Sequence, residues 1–146
     1  MVEARRIRGM HKEIFQLAVP STSLLTEPVF RQLLGRKCCI SYEYEREGLL
    51  ISEQLVFDGV ESLKCTYYVA CDVEMVEAYD RVLEIEASPW RDRVTRNLVG
   101  ANWNAEGLRH LRFFPDDGPC YEFICRTFDV TREENPFSDD YHPADN

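Results

Sequence analysis

The amino-acid sequence predicts an α+β fold, in which a five-stranded, mainly antiparallel sheet carries helices on one side in the order ααβββααββ. Two observations predict this class. Helical and strand patterns occur in separate runs, and the strand–helix–strand alternation that produces a parallel sheet is absent. The chain has 146 residues, of which 45% are hydrophobic and 29% charged, which suits one globular domain. The predicted sheet can also curl into a partial barrel.

Residues 1–35 are predicted to form a helical lead-in to the sheet. Residues 11–18 are amphipathic at helical spacing. Thr26 is placed to cap a second short helix, with Pro28 in its first turn and Gly35 at its end. Both segments are therefore expected to be helices.

Three strands are predicted after this lead-in. Ile40, Tyr42 and Tyr44 alternate with polar residues, which predicts a strand with one buried face. Turn-forming residues then predict two more strands, so that the three strands form an antiparallel meander. The turns are expected at Glu47-Gly48 and Asp58-Gly59, and the second and third strands at residues 50–57 and 60–70.

Two N-capping signals predict the helices that follow the meander. Asp72 precedes one helical pattern, and Ser88 precedes a second, basic pattern. The apolar positions of the first helix are Val73, Val76, Tyr79, Val82 and Leu83. Residues 82–86 could instead form a short strand. Residues 100–107, which carry Trp103, are expected to form a loop.

The last two strands are predicted at residues 108–114 and 120–130, on either side of a turn rich in proline and aspartate. Residues 133–146 contain five acidic and no basic residues and are predicted to be a mobile tail. The expected organisation is one globular domain, residues 1–132, followed by this acidic tail.

The net charge of −9 is concentrated in two segments. Residues 37–88 contain twelve acidic and four basic residues, a net charge of −8, and the tail adds −5. This balance would repel the phosphate backbone of a nucleic acid and attract a basic protein. The chain has no uncharged stretch of 18 residues and no signal-peptide pattern, which predicts a cytoplasmic protein without membrane contact.

Motifs that carry chemistry are sparse. The six cysteines lack the paired spacing of a zinc site, and glycine-rich nucleotide-binding loops are absent, so neither a metal nor a cofactor is expected. Reduced and mostly buried thiols are expected. Cys71 precedes a predicted helix whose dipole would lower the thiol pKa, but the adjacent carboxylate of Asp72 would raise it. A reactive cysteine is therefore an alternative to an inert, buried one.

The candidate binding residues are an acidic row, a tryptophan and a histidine, namely Glu43, Glu45, Glu47, Trp103 and His110. The three glutamates would lie about 7 Å apart along one strand face, according to the strand rise. Cross-strand bases such as Lys64 could neutralise this row, or a basic partner could do so. Trp103 lies in a polar loop and is a candidate for recognition, whereas Trp90 is expected in the core.

Three classes of function fit the sequence. The first is a small acidic interaction module, immunity-like or adaptor-like, that docks on a basic protein. The second is a small enzyme or ligand-binding protein whose site lies in a sheet cavity around His110, with Tyr121, Glu122 or a cysteine as further polar groups. The third is a subunit of a homo-oligomer, which would expose a large apolar patch. The chain is expected to be a monomer or a homodimer.

Overall fold

Within residues 11–138, the part of the chain that the computed structural model describes, nine strands and two α-helices are present. The strands are β1 (His11–Gln16), β2 (Val29–Leu33), β3 (Lys37–Arg46), β4 (Leu49–Asp58), β5 (Ser62–Thr66), β6 (Arg81–Ile85), β7 (Arg109–Phe113), β8 (Cys120–Cys125) and β9 (Thr127–Pro136). The helices are α1 (Val73–Val76) and α2 (Pro89–Gly100), with 3-10 turns at Ser21–Ser23 and Tyr68–Ala70. One sheet has the order β1-β6-β7-β8-β5 and the other has the order β2-β3-β4-β9.

The two sheets pack face to face through aromatic side chains. Phe57 of β4 stacks on Phe123 of β8 with 4.1 Å between the ring centroids. Phe30 of β2 lies 5.4 Å from the ring of Tyr121 in β8. Complete burial of a phenylalanine side chain contributes about 1.5–3 kcal/mol to stability, so this aromatic layer holds the sandwich together.

The first predicted strand is confirmed as β3. It buries Ile40, Tyr42 and Tyr44 and turns the intervening residues outward, because neighbouring residues of a strand point to opposite faces. The predicted turn at Glu47-Gly48 joins β3 to β4, and both of its residues have positive φ angles. The α+β class and the antiparallel pairing predicted from the sequence are therefore present.

The predicted helical lead-in is wrong over the described residues. β1 and β2 take the place of the helices expected over residues 11–18 and after Thr26. β1 pairs with β6, which is distant in the chain, and β2 pairs with the next strand, β3, so partner strands satisfy backbone groups that a helix would have paired internally. Gly35 lies in the β2–β3 turn instead of ending a helix. Residues 1–10 of the predicted lead-in lie outside the described residues.

The predictions of a three-stranded meander and of a single sheet are also wrong. At Gly59 the chain leaves the four-stranded sheet, and β5 pairs with β8 rather than with β4. Asp58-Gly59 is therefore a crossing between sheets and not a hairpin turn. A turn signal shows where the backbone bends, but burial against a distant strand decides which sheet the next strand joins.

The last predicted strand, residues 120–130, divides at Arg126 into β8 and β9, which lie in different sheets. β9 pairs with β4 along ten residues, so residues 133–136 belong to a strand and not to the predicted tail. Backbone pairing with β4 stabilises this acidic segment although its side chains are exposed. Residues 139–146 of the predicted tail lie outside the described residues.

The helix caps predicted at Asp72 and Ser88 are confirmed, whereas no helix follows Thr26. The Asp72 side chain accepts a hydrogen bond from the Met75 backbone N–H, and the Ser88 hydroxyl oxygen accepts one from the Arg91 backbone N–H. Helix α1 ends after four residues. The alternative prediction of a short strand at residues 82–86 is correct, because this segment forms β6. Trp90 of α2 is buried against the five-stranded sheet, as expected. No helix in residues 11–138 is long and apolar enough to cross a membrane.

Candidate functional site

His110 lies in a buried polar network beneath helix α2. β7 and β8 place His110 and Glu122 on the outer face of the five-stranded sheet, and the start of α2 places Ser88 beside them. His110 Nε2 lies 2.8 Å from Glu122 Oε1, and His110 Nδ1 lies 2.8 Å from Ser88 Oγ. The ring of Trp90 lies edge-on to the imidazole, with 5.0 Å between the centroids. The network therefore joins two strands to the start of a helix.

Arg112 is the second partner of Glu122. Its Nε–H donates to Glu122 Oε1 at 2.8 Å. Burial raises the pKa of Glu122, but the hydrogen bond from His110 and the charge of Arg112 outweigh burial and hold this pKa below its usual value. Burial lowers the pKa of His110 by more than the hydrogen bond and charge of Glu122 raise it. At neutral pH, Glu122 is therefore a carboxylate and His110 a neutral imidazole.

These charge states determine the direction of each hydrogen bond. Since a carboxylate only accepts, His110 Nε2 carries the ring proton and donates to Glu122. His110 Nδ1 then accepts from the Ser88 hydroxyl, and the Ser88 oxygen accepts from the Arg91 N–H at 3.0 Å. Each of these polar atoms has a partner inside the protein.

The serine, histidine and glutamate have the composition of a hydrolytic triad, but their arrangement favours a structural role. Ser88 is 2% exposed, and its oxygen already caps α2. The side chains of His110 and Glu122 are 7% and 3% exposed, which leaves no room for a substrate atom beside them. Tyr121, also expected near His110, points to the opposite face of the sheet and lies in the sandwich core.

Among residues 11–138, burial raises the pKa of five cysteine thiols, and no cysteine belongs to a group that could hold a metal ion. Burial raises the pKa of the Cys71 thiol, and a hydrogen bond from the Cys120 backbone does not compensate for this effect. Asp72 adds to the rise, as expected from its charge. Four cysteines are buried, namely Cys38, Cys39, Cys120 and Cys125. Among residues 11–138, no group of three His, Cys, Asp or Glu side chains could hold a metal ion.

Glu43 and Glu45 lie on the same face of β3, as predicted, whereas Glu47 lies beyond the strand. Glu43 points outward from β3 and accepts a hydrogen bond from Ser52 Oγ at 3.1 Å. Glu45 Oε1 accepts from the Gly48 backbone N–H at 2.9 Å, so it closes the β3–β4 turn. Glu47 lies within that turn, with a φ angle of 55°. Only Glu43 therefore faces the centre of the four-stranded sheet.

Lys64 and Trp103 lie apart from this acidic row. Lys64 belongs to the other sheet, where its Nζ lies 4.0 Å from the centroid of the Trp90 ring. Trp103 is 62% exposed in its predicted loop, and the Arg36 guanidinium lies 5.5 Å from its ring centroid. The expected cross-strand relief of the glutamates by Lys64 is therefore absent.

A groove of about 550 Å³ lies on the outer face of the four-stranded sheet. Its floor and sides include Ser41, Glu43, Ser52, Gln54, Arg31 and Glu133. Arg31, Gln54 and Glu133 are exposed, so the groove is open to solvent. Of the predicted acidic row, Glu43 lines this groove.

Glu53 is a buried acid that the sequence reasoning missed. It accepts hydrogen bonds from the Tyr42 hydroxyl at 2.5 Å, from the Tyr44 hydroxyl at 3.2 Å and from Arg132 Nε at 2.7 Å. Burial raises the pKa of Tyr42, so its hydroxyl remains a donor. A signal was present in the sequence, because Glu53 occupies an apolar position of the alternating pattern in β4.

A cluster of exposed apolar side chains lies over residues 67–79. This tyrosine–valine patch consists of Tyr67, Tyr68, Val69, Val73, Val76 and Tyr79. Val69 is 95% exposed and Val73 is 81% exposed. The sequence reasoning missed the patch because it assigned three of these residues to the buried face of a longer helix.

The patch rests on a small second core and has an acidic border. The rings of Tyr68 and Tyr79 each lie 6.3 Å from the ring of buried Phe114. The Tyr79 hydroxyl donates to Asp116 at 2.8 Å. The exposed acids nearest to the patch in the chain and in the adjoining turn are Asp72, Glu74, Asp116 and Asp117.

Comparison of the chain with protein-family models, curated proteins and solved structures found no match. The geometry and charges of these surfaces are therefore the basis for a functional proposal.

Proposed function

We propose that this chain is a non-enzymatic interaction module that docks on a basic protein through the tyrosine–valine patch. The observation that supports this function best is the exposure of six large apolar side chains within residues 67–79. A grouping of exposed apolar side chains of this kind is typical of a surface that binds a partner. Tyrosine is also enriched at interfaces, because it buries a large ring and keeps a hydroxyl group for hydrogen bonding.

The fold holds this patch in a defined shape. Asp72 caps helix α1, while Cys71 and Met75 pack inward against the small core around Phe114. The exposed valines of α1 are therefore presented by an anchored segment. An ordered surface loses less conformational entropy on binding than a mobile one, which favours docking at this position.

The charges beside the patch indicate the chemistry of the partner. A protein with lysine or arginine side chains around an apolar centre would be attracted to Asp72, Glu74, Asp116 and Asp117. A symmetric dimer through the same patch would bring these acids against their own copies, which is unfavourable. The apolar centre would supply most of the affinity, and the acids would supply steering and specificity.

The double substitution Val69→Ser with Val73→Ser tests this function. Both side chains are almost fully exposed, so their replacement removes apolar surface while leaving the core intact. Leu34→Ser is the matched control, since Leu34 is 99% exposed and lies in the β2–β3 turn, outside the patch. Proteins bound to each tagged form are recovered and quantified at low and moderate salt.

We expect the wild type and L34S to recover the same basic protein, with less of it as salt rises. The double variant should recover at least about tenfold less, because interface centres carry most of the binding energy. Equal recovery by the double variant would contradict docking through the patch. A wild type that only self-associates, as measured by sedimentation, would also overturn the proposal and replace the basic partner by a second copy.

A further inference from the structure

We infer that the outer edge of β9 binds an extended segment of a partner protein as an additional antiparallel strand, and that this segment alternates basic and apolar residues. β9 is the last strand of the four-stranded sheet, and no other strand within residues 11–138 pairs with its outer edge. Such an edge presents backbone N–H and C=O groups that can pair with a further strand. The tyrosine–valine patch follows β5 of the other sheet, so the inference does not depend on it.

β9 has the longest edge in the described part of the chain. It contains ten residues, and all ten are paired with β4. The other edge strands, β1, β2 and β5, have six, five and five residues. A strand bound along β9 can therefore form more backbone hydrogen bonds than one bound at any of those edges.

Alternate residues of β9 direct their backbone groups to the outer edge. The Phe137 N–H, just after β9, donates at 3.0 Å to the carbonyl of Gly48, the residue before β4. Because successive residues of an antiparallel strand bond to opposite sides, the odd-numbered residues of β9 bond to β4 and the even-numbered residues face the outer edge. The residues in this outward set are Phe128, Val130, Arg132 and Glu134.

A hydrogen bond of Val130 agrees with this assignment. The Val130 N–H donates to Asp129 Oδ1 at 2.9 Å, in an exposed position. A carbonyl oxygen of an added strand can replace this carboxylate oxygen. Asp129 then becomes available to a basic side chain of the same strand, so backbone pairing and charge pairing support each other.

The outer face of β9 is acidic. Asp129 and Glu133 are exposed on this face, and neither forms an ion pair with any residue of 11–138. Residues that lie opposite each other in an antiparallel pair share one face of the sheet. Basic residues of the added strand would therefore lie beside these two acids.

The inner face of β9 is apolar in its first half. Phe128 and Val130 are partly buried and pack against the main core. Phe15 of β1 lies 6.1 Å from Phe128 between the ring centroids. Apolar residues of the added strand would lie beside Phe128 and Val130 and cover the surface that they still expose, which is favourable. The alternation of basic and apolar residues follows from these two faces.

A basic partner fits this edge better than a second copy of β9. The strand has three acids and one arginine, and Arg132 Nη2 already lies 2.6 Å from buried Glu53. Two copies of β9 paired edge to edge would bring the acids of one copy next to the acids of the other, which is unfavourable. A strand that carries lysine or arginine would instead be attracted.

The test uses the full chain and an acetylated, amidated peptide of sequence Lys-Val-Lys-Val-Lys-Val-Lys. In the proposed arrangement the valines lie opposite the outward set of β9, so the valine N–H groups face β9 and the lysine N–H groups face away. One control peptide carries N-methyl groups on the three valines and the other carries them on three lysines. Both keep the charge of the parent peptide, so they separate backbone pairing from charge attraction.

Two protein variants test the charge of the outer face. Glu133→Gln is the site variant. Glu86→Gln is the matched variant, because it removes one exposed carboxylate that follows β6 in the other sheet. Binding is followed by NMR of the backbone amides and by amide hydrogen exchange.

We expect the parent peptide to cause saturable chemical-shift changes along residues 128–134 and to slow the exchange of the Val130, Arg132 and Glu134 amides. The peptide methylated on lysine should bind with similar affinity. The peptide methylated on valine should bind at least about tenfold more weakly, because it cannot donate to β9. E133Q should weaken binding of the parent peptide about threefold, and E86Q should leave it unchanged.

Four results would overturn the inference. Equal binding of the two methylated peptides, or equal weakening by E133Q and E86Q, would indicate attraction by charge without strand pairing. Chemical-shift changes that are absent, or confined to residues 67–79, would exclude β9 as the binding site. Slow exchange of the Val130, Arg132 and Glu134 amides in the protein alone would show that another segment of the chain or a second copy already covers this edge.

Discussion

Two acids are buried, Glu53 between the two sheets and Glu122 beneath helix α2, and each accepts a hydrogen bond from an arginine of a neighbouring strand. Arg132 bonds to Glu53 and Arg112 bonds to Glu122, and uncharged donors complete both sites. A buried carboxylate without such partners would be strongly destabilising. At the scale of residues, these pairs allow charged side chains to occupy buried positions, which for Glu53 is a position that alternation assigns to the core.

His110 makes stability depend on pH on the acidic side of neutrality. Burial lowers its pKa in the folded chain, so the unfolded chain binds a proton at higher pH than the folded chain does. The stabilising contribution is complete above about pH 6.5 and is lost as the pH falls towards the lower, folded pKa. Glu122, whose pKa is also lowered, has the same sign but acts at more acidic pH, below about 4.5.

We therefore expect His110→Gln to flatten the dependence of the unfolding free energy on pH between about pH 7 and pH 5. The substitution should decrease the slope of the unfolding free energy against pH by up to about 1.4 kcal/mol per pH unit, which is the value for one proton. Urea denaturation at a series of pH values measures this slope, with Glu86→Gln, an exposed position, as the control. A slope that is the same in H110Q and in the wild type would show that His110 does not titrate in this way.

At the scale of elements, a side chain caps the start of each helix, but the two capping residues differ in burial and in their other hydrogen-bond partners. The Asp72 cap is exposed and begins a helix of four residues, whereas the Ser88 cap is buried and also bonds to His110. The Ser88 hydroxyl therefore serves a helix and a sheet together. This shared hydrogen bond ties the twelve residues of α2 to β7.

Ser88→Ala should destabilise the protein by about 2–3 kcal/mol, because it removes the cap and leaves His110 Nδ1 buried without a donor. Asp72→Ala removes only the cap and should cost about 1 kcal/mol. Urea denaturation of both variants gives the comparison, and hydrogen exchange should show faster opening of α2 in S88A. Equal losses in the two variants would mean that the bond between Ser88 and His110 contributes nothing.

At the scale of the whole molecule, the chain crosses between the sheets after β1, after β4 and after β8 within residues 11–138, and the last two crossings lie side by side. Arg126, which follows β8, joins these two crossings. Its backbone N–H donates to the Asp58 carbonyl, and its guanidinium bonds to the Gly59 carbonyl and to Glu61. Arg126 Nη2 also donates to the Asn104 carbonyl. One side chain thus connects both crossings and the loop after α2.

Arg126→Ala should cost about 2 kcal/mol, because Glu61, whose side chain is 9% exposed, and two carbonyl groups lose a donor. Arg36→Ala is the matched comparison, since Arg36 also bonds to Glu61 but is 53% exposed, and it should cost about 0–1 kcal/mol. Urea denaturation with an unchanged m-value is the measurement. A larger loss of stability in R36A than in R126A would show that Arg126 is not the main residue that joins the two crossings.

Local patterns predicted the features that depend on neighbouring residues in the chain. The burial of Ile40, Tyr42 and Tyr44, the turn at Glu47-Gly48 and both helix caps follow from alternation and from side-chain chemistry within a few residues. The outward direction of Glu43 follows from the same alternation. These features need no information about distant parts of the chain.

The sequence by itself determined the antiparallel α+β class, the β3–β4 hairpin and the starts of α1 and α2. Only the tertiary structure decided that β1 and β2 are strands, that β5 and β9 join different sheets, and that Val73 is exposed. It also decided which side chains meet, as in the pairing of His110 with Ser88 and Glu122. The physical reason is that a strand is stabilised by hydrogen bonds and apolar contacts with a partner strand that can be distant in the chain, which local periodicity does not identify.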